Sequence, residues 1–584
     1  MDMINTYPLP IGQLLSHKNS AYAYRPKPRL TDTIGHLHDQ DFITDLRAPD
    51  LLKRSLLRVY QLDNDISGRR ISNLNHLQRK DSIKAISHGL KLTTDEAQIK
   101  EQAIFHVNAI SSLLVNGVME AAKHIKAFKL PVPWSVAERE AKNNDGYIEI
   151  DGPTYKRLTN DKWMVRALRK EIRNRIELIA LKEGVINSTY ERYASDQSVK
   201  IHEQARARNY ALLDALQATN EEGDHFSLLE LSEKSVSNPD IRSSELFVRT
   251  RGFENYANKH NHIADFWTLT CPSKFHRSSS KWNGSTPKDA QKWFCKQWGK
   301  FRSSIDKTSH NYYGLRVVEP HKDACPHWHM LLFFETEEGL EFARQKMQHY
   351  LLSEDGDEAG AQEHRFVTEK IDKSKGSATG YIAKYIAKNI NGSNIEDVDG
   401  RDPVNAALRA KAWSSNWRIR QFQQIGGPSV TVWRELRRME TEEIGELEEC
   451  RKAADSSDWS EYFEAQGGHS VNFKDMPVKP AYWLELDTRL SNVPRNEYGE
   501  PIGPKVFGVT YRNTYYLTRY HTWCIEKSDT GPIDLPVPIG QTLVGTDQET
   551  SSQEGENYTS SPIGDSARKN VNSLPWSSVN NCTG

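Results

Sequence analysis

The chain has 584 residues, 27% of them charged, with a formal net charge of −1 at pH 7. That length exceeds what one hydrophobic core holds, so two or three domains are expected, and the balanced charge argues against a uniformly basic or acidic protein. Six scattered cysteines without a Cys-x-x-Cys argue against a disulfide framework or thiolate zinc site, and no apolar run reaches membrane-spanning length. The start, Met1-Asp2-Met3-Ile4-Asn5-Thr6, lacks the basic-then-apolar pattern of a secretion signal, so a reducing cytosol is the expected compartment.

Residues 1–225 read as a mainly helical N-terminal region. Within it, Asp161 to Glu183 sets Met164, Leu168, Ile172 and Ile176 against Arg166, Arg169, Lys170, Arg173 and Arg175, the pattern of an amphipathic helix whose basic face is either solvated or meets DNA. Residues 240–440 mix strands and helices. Phe266 to Thr270 reads as a strand stopped by Pro272, Tyr313 to Glu319 as a second ended by Pro320, and Pro326 to Phe334 as a third. From Ile241 to Glu440 there are 31 Lys and Arg against 24 Asp and Glu, a local excess that suits a polyanion. Residues 441–530 read as a small mixed segment. Residues 531–584 are rich in Ser, Thr, Gly, Pro and Asn and are expected to be a disordered tail.

Two motifs carry chemistry. In the run Pro326-His327-Trp328-His329-Met330-Leu331-Leu332, strand alternation puts His327 and His329 on one face, inside an apolar strand where unpaired imidazoles would be costly to desolvate. Such a pair can hold a divalent cation if a third ligand is supplied. The segment from Pro320 to Pro326 is short enough to return antiparallel, which brings Glu319 opposite the pair, with His321 as the alternate. The pair His260 and His262 lies in polar surroundings and is read as structural.

The second motif is Gly380-Tyr381-Ile382-Ala383-Lys384-Tyr385-Ile386-Ala387-Lys388-Asn389. On a helix, Tyr381 and Tyr385 share a face flanked by Lys384 and Lys388, while Ile382, Ile386 and Ile390 form the opposite, buried stripe. Ser377 or Thr379 is placed to cap its start and Gly392 to end it. A phenol of pKa about 10 is almost wholly protonated at neutral pH. Neighbouring lysines are therefore expected to favour the phenolate needed for nucleophilic attack.

In this order, Thr268-Leu269-Thr270, then His-Trp-His, then Tyr-x-x-x-Tyr, the chain resembles the HUH endonucleases that initiate rolling-circle replication, and more closely the phage replication gene A protein family with its two tyrosines. Arg249-Thr250-Arg251-Gly252-Phe253-Glu254 through Ser273 is similar to the family's first block. Glu319 to Leu332 and Gly376 to Gly392 are similar to the second and third, and Trp413 to Gly427 resembles its C-terminal flank. The likeness covers roughly residues 200 to 440. Relaxases of conjugation place the tyrosine before the histidines, so the order argues against them.

The resemblance implies an α+β fold: an HUH endonuclease domain with a central antiparallel sheet and packed helices. It implies nicking of single-stranded or supercoiled origin DNA by Tyr381 and Tyr385, supported by Lys384 and Lys388, with Mg²⁺ or Mn²⁺ on His327, His329 and Glu319. Arg418 and Arg420 would neutralise DNA phosphates, and Trp413 and Trp417 either stack on bases or belong to the core. With no Gly-x-x-x-x-Gly-Lys-Ser/Thr in the chain, strand separation and synthesis would fall to a host helicase and host polymerase in the bacterial cytoplasm. Two other classes stand beside this one: a hydrolase in which water attacks, and a non-catalytic single-strand binder.

Overall fold

The structure is a computed structural model and describes residues 48–67, 81–133, 148, 150–390, 392, 402–440, 444–482 and 495–528. The tail expected over 531–584 lies outside them. The architecture is α+β, with three antiparallel sheets among the described residues.

The N-terminal region holds helices α1 (Asp50–Ser67), α2 (Glu96–Val115), α3 (Val118–Phe128), α4 (Asp161–Lys182) and α5 (Asp196–Asp214), followed by strands β1 (Leu216–Asn220) and β2 (His225–Ser227). Helix α4 covers the stretch expected from its apolar spacing. The Asn160 side chain caps it by accepting from the Trp163 N–H, and Met164, Leu168, Ile172 and Ile176 are all buried.

After α6 (Pro239–Lys259), the chain builds its main sheet from β3 (Ile263–Leu269), β4 (Tyr312–Pro320), β5 (Pro326–Phe334), β6 (Phe366–Lys370) and β7 (Phe422–Ile425). The order is β6-β3-β5-β4-β7, antiparallel throughout, so the histidine strand β5 is central. Between the strands run α7 (Pro287–Ile305), α8 (Glu337–Leu352), α9 (Ala378–Ile390) and α10 (Pro403–Trp417).

Alternation along β5 splits the core in two. Trp328, Met330, Leu332 and Phe334 pack with Trp293, Phe294, Trp298 and Phe301 of α7, with α8, and with the N-terminal helices, which therefore share this core rather than forming one of their own. Leu331 and Phe333 point to the other face, onto Ile382, Ile386 and Ile390 of α9 and Phe253 and Tyr256 of α6. That second core also takes in Trp459, Tyr462 and Phe463 of α11 (Trp459–Ala465), so the segment after 441 closes the interior on this face of the main sheet. Beyond it, β8 (Val478–Tyr482), β9 (Val506–Tyr511) and β10 (Thr514–Leu517) form a small sheet. The strand β11 (Trp523–Lys527) returns about 300 residues to pair with β1.

Candidate active site

The register of the main sheet places the chemistry. His329 lies opposite Thr268 of β3, and His327 lies opposite Glu319 of β4. The turn between β4 and β5 is tight, with the His321 N–H donating to the Cys325 carbonyl at 2.7 Å, and this returns the chain so that Glu319 reaches the pair. Glu319 Oε1 is 3.1 Å from His329 Nε2. The two threonines ahead of the motif meet the other ring nitrogens: Thr268 Oγ1 is 3.3 Å from His329 Nδ1, and Thr270 Oγ1 is 3.3 Å from His327 Nδ1. His321 Nε2 also approaches His327 Nδ1, at 2.8 Å.

Charge follows from these contacts. Burial raises the Glu319 carboxyl, but the His329 hydrogen bond and the Lys388 ammonium, 3.2 Å away, outweigh it and bring the pKa down to about 2. An ionised carboxylate only accepts, so His329 Nε2 carries the proton of that bond. Burial, together with His321 and His329, pushes His327 well below the usual imidazole range, which keeps it neutral.

The tyrosine helix α9 lies across this face. The Tyr385 ring stacks on His329 with centroids 3.7 Å apart, and Phe266 lies nearly parallel beside both rings, 5.7 Å from Tyr385 and 5.9 Å from His329. Tyr381 lies one turn earlier, and both phenols line an open cleft with Phe266, Thr268, Glu369 and Lys384. The helix is fastened at both ends. Ser377 Oγ accepts from the Gly380 N–H, and the buried Glu254 of α6 accepts from the N–H groups of Ala378 (2.8 Å) and Thr379 (3.2 Å) and from the Thr379 hydroxyl (2.7 Å). At the far end Gly392, at φ +67°, donates its N–H to the Ala387 carbonyl.

Two imidazoles and a carboxylate are the donor chemistry of a mixed Mn²⁺ or Mg²⁺ site, and His329 Nε2 and Glu319 Oε1 are separated as neighbouring ligands would be of one ion that takes the place of the shared proton. His327 turns its Nδ1 to Thr270 and His321. Among the described residues, no three His, Cys, Asp or Glu groups converge in an ion-holding arrangement. The residues fit a cation in type and on one face, with a His327 ring adjustment needed to complete the set.

Residues 77–393, which contain this site, match the family model for the bacteriophage replication gene A protein (GPA). The chain belongs to that family. It is 39% identical over 386 residues to the probable replication protein P12 of Pseudoalteromonas phage PM2, covering 64% of this chain and 59% of that protein. It is 36% identical over 469 residues to the replication protein of Haemophilus phage HP1, covering 78% of this chain and 56% of the relative. It is 30% identical over 351 residues to a probable replication endonuclease from a prophage-like region of Salmonella typhimurium, covering 56% and 42%. The chain thus spans little more than half the length of the first two relatives. No solved structure matches it significantly.

Several expectations change in this gene A family member. The lysines do not draw the phenols toward ionisation. Burial, then the Glu319 and Glu369 carboxylates, raise Tyr385 to about 12, and desolvation and Glu369 raise Tyr381. Lys384 Nζ lies 4.9 Å over the Tyr385 ring, and Lys388 is committed to Glu319. Trp413 and Trp417 are buried, Trp413 Nε1 donating to the Ala324 carbonyl, so neither stacks on DNA. Arg418 and Arg420 are exposed. Glu254 was missed. It lies in the block Arg249 to Glu254, but its role rests on a partner 124 residues away, which no local pattern shows. In the same block, a Cβ on Gly252 would come within 2.4 Å of Trp459 Cβ, so this glycine is a close-packing requirement.

Proposed function

We propose that the chain is a site-specific single-strand DNA endonuclease and strand transferase that nicks a phage origin by tyrosine transesterification, starting rolling-circle replication. The carrying observation is that the Tyr385 ring lies face to face with His329, itself bonded to Glu319. Nucleophile and phosphate-polarising groups thus share one open face.

The phenolic oxygen of Tyr381 or Tyr385 attacks phosphorus. A tyrosine–phosphate bond forms, the bond to the 3′-oxygen breaks, and the phenolic proton ends on that oxygen, leaving a 5′-phosphotyrosine and a free 3′-hydroxyl for a host polymerase. Mg²⁺ or Mn²⁺ held by His327, His329 and Glu319 would supply charge neutralisation at the phosphate oxygens. Thr268 and Thr270 hold the imidazoles from behind, as outer partners orient metal-binding histidines. The raised phenol pKa values keep both nucleophiles protonated until substrate and cation arrive. Two tyrosines one turn apart allow a second cleavage while the first adduct persists, which release of a unit-length circle requires.

The test is incubation with an end-labelled origin oligonucleotide and Mg²⁺ or Mn²⁺, followed by denaturing electrophoresis. Label stays on the wild-type protein and is absent with excess EDTA or in the Tyr381→Phe/Tyr385→Phe double variant. Each single variant fails to complete replication. An adduct in the double variant, or one mapped to Tyr312, overturns the reading. Cleavage without any adduct replaces it with a water-attacking hydrolase.

A further inference from the structure

The five basic side chains of α4 from Arg166 to Arg175 divide into two groups. Arg175 is buried, donating to the Ser87, Phe128 and Lys129 carbonyls and pairing with Glu171. Arg169 pairs with Glu96 at 2.6 Å, and Arg166 donates to the Tyr498 hydroxyl at 3.0 Å. These three are structural. Lys170 and Arg173 have no carboxylate within 4 Å among the described residues. The carboxylate acting on Arg173 from farther off, Glu177, is taken up by Ser195 and Ser198.

Instead they face another cation. Arg173 Nη2 donates to the Ser415 carbonyl at 3.3 Å, which holds α4 against the end of α10, three residues before the exposed Arg418. Burial, then Arg418, Arg173 and Lys288, bring Lys170 down to about 8, and burial with Arg418 lowers Arg173. Glu171 acts on Arg418 in the opposite sense and does not pair with it. Like charges gathered this way repel one another until an anion joins them.

A second observation is independent of charge. The same two segments contain buried polar atoms without hydrogen-bond partners: Arg173 Nε, both ends of the Asn416 amide, and Trp417 Nε1. Asn416 is only 2% exposed. Buried donors are rarely left unpaired, and here three of them sit on the segments that carry the three cations.

We propose that Lys170, Arg173, Asn416 and Arg418 form a phosphate-binding seam between the N-terminal helices and the nuclease sheet, and that it grips the sugar–phosphate backbone of DNA flanking the cleaved bond. The choice of DNA as the polyanion rests on the nuclease reading above. It gives the N-terminal region a role: it completes the track along which the substrate strand lies.

The experiment is fluorescence anisotropy of the full chain with a labelled single-stranded oligonucleotide of about 30 nucleotides, across NaCl concentrations. Each neutralised phosphate contributes about 0.7 to the log–log salt slope on single strands. Arg418→Gln, at an exposed position, should flatten the slope by about that amount. The Lys170→Gln/Arg173→Gln/Arg418→Gln variant should flatten it by about 2, with affinity at low salt falling at least about tenfold, whereas Lys170→Arg keeps the wild-type slope. An unchanged slope in Arg418→Gln and in the triple variant overturns the seam even if adducts form. A flattened slope in a protein that forms no adduct keeps the seam and sinks the nuclease reading.

Discussion

His260-Asn261-His262 and His327-Trp328-His329 are the same spaced pair of imidazoles in two settings. The first straddles a turn, where α6 ends and Asn261, at φ +57°, leads into β3. Its two rings go to separate partners: His260 Nε2 lies 2.7 Å from Glu464 on α11, and the buried His262 Nδ1 lies 3.0 Å from the Tyr313 hydroxyl. The second pair sits within one strand, on one face, opposite a carboxylate and under a tyrosine ring. The separation of two histidines in sequence therefore says little. What counts is whether both belong to one regular strand and what the neighbouring strands present at that register.

The comparison breaks first on rate. His327→Ala or His329→Ala should slow adduct formation by about 10²-fold or more while DNA binding survives. His262→Ala should leave the rate per folded molecule within about twofold and lower the melting temperature instead. A folded His262→Ala protein that no longer forms adducts would erase the distinction between the pairs.

Glu319→Gln sharpens it. The amide oxygen still accepts from His329, but the charge that faces Lys388 is gone. Adduct formation should fall about 10- to 100-fold and need more Mn²⁺, read from a metal titration. A silent substitution would move the third ligand to His321.

Glu254→Ala removes a cap and should cost about 1 kcal/mol, read as a lower melting temperature. Because Tyr381 lies nearer the capped end, adduct formation should drop more in the Tyr385→Phe background than in Tyr381→Phe. Equal losses would limit Glu254 to stability.

The smallest effect is one of pH. Burial, with His469 and His260, lowers His262 to about 4. The unfolded chain therefore binds a proton that the folded one refuses, and stability is lost as pH falls from about 6.5 toward 4. His262→Phe should show a shallower decline in melting temperature over that range than wild type. An identical decline would mean that this imidazole is protonated in the fold.

Much of the site was legible because it is built from short-range rules. Alternation put His327 and His329 on one face, the short return from Pro320 to Pro326 brought Glu319 to them, and the i to i+4 spacing paired Tyr381 with Tyr385 on a helix that ends before Gly392, as observed. Helix α4 was legible for the same reason. The phenols' ionisation was misread, since Lys384 and Lys388 flank them on the helix surface while the tertiary structure turns one ammonium over a ring face and the other onto Glu319.

Residue spacing along the chain was enough to settle which side chains leave each strand or helix together, because that depends only on backbone geometry repeating every two or 3.6 residues. Which faces then meet could not come from spacing. The burial of Trp413 and Trp417, the cap from Glu254, the sharing of one core by the N-terminal helices and the sheet, and the pairing of β1 with β11 all join residues tens to hundreds of positions apart. Such contacts are selected by the burial of whole apolar faces against one another. Many faces of similar composition compete for each place, and only the packed molecule shows which of them won.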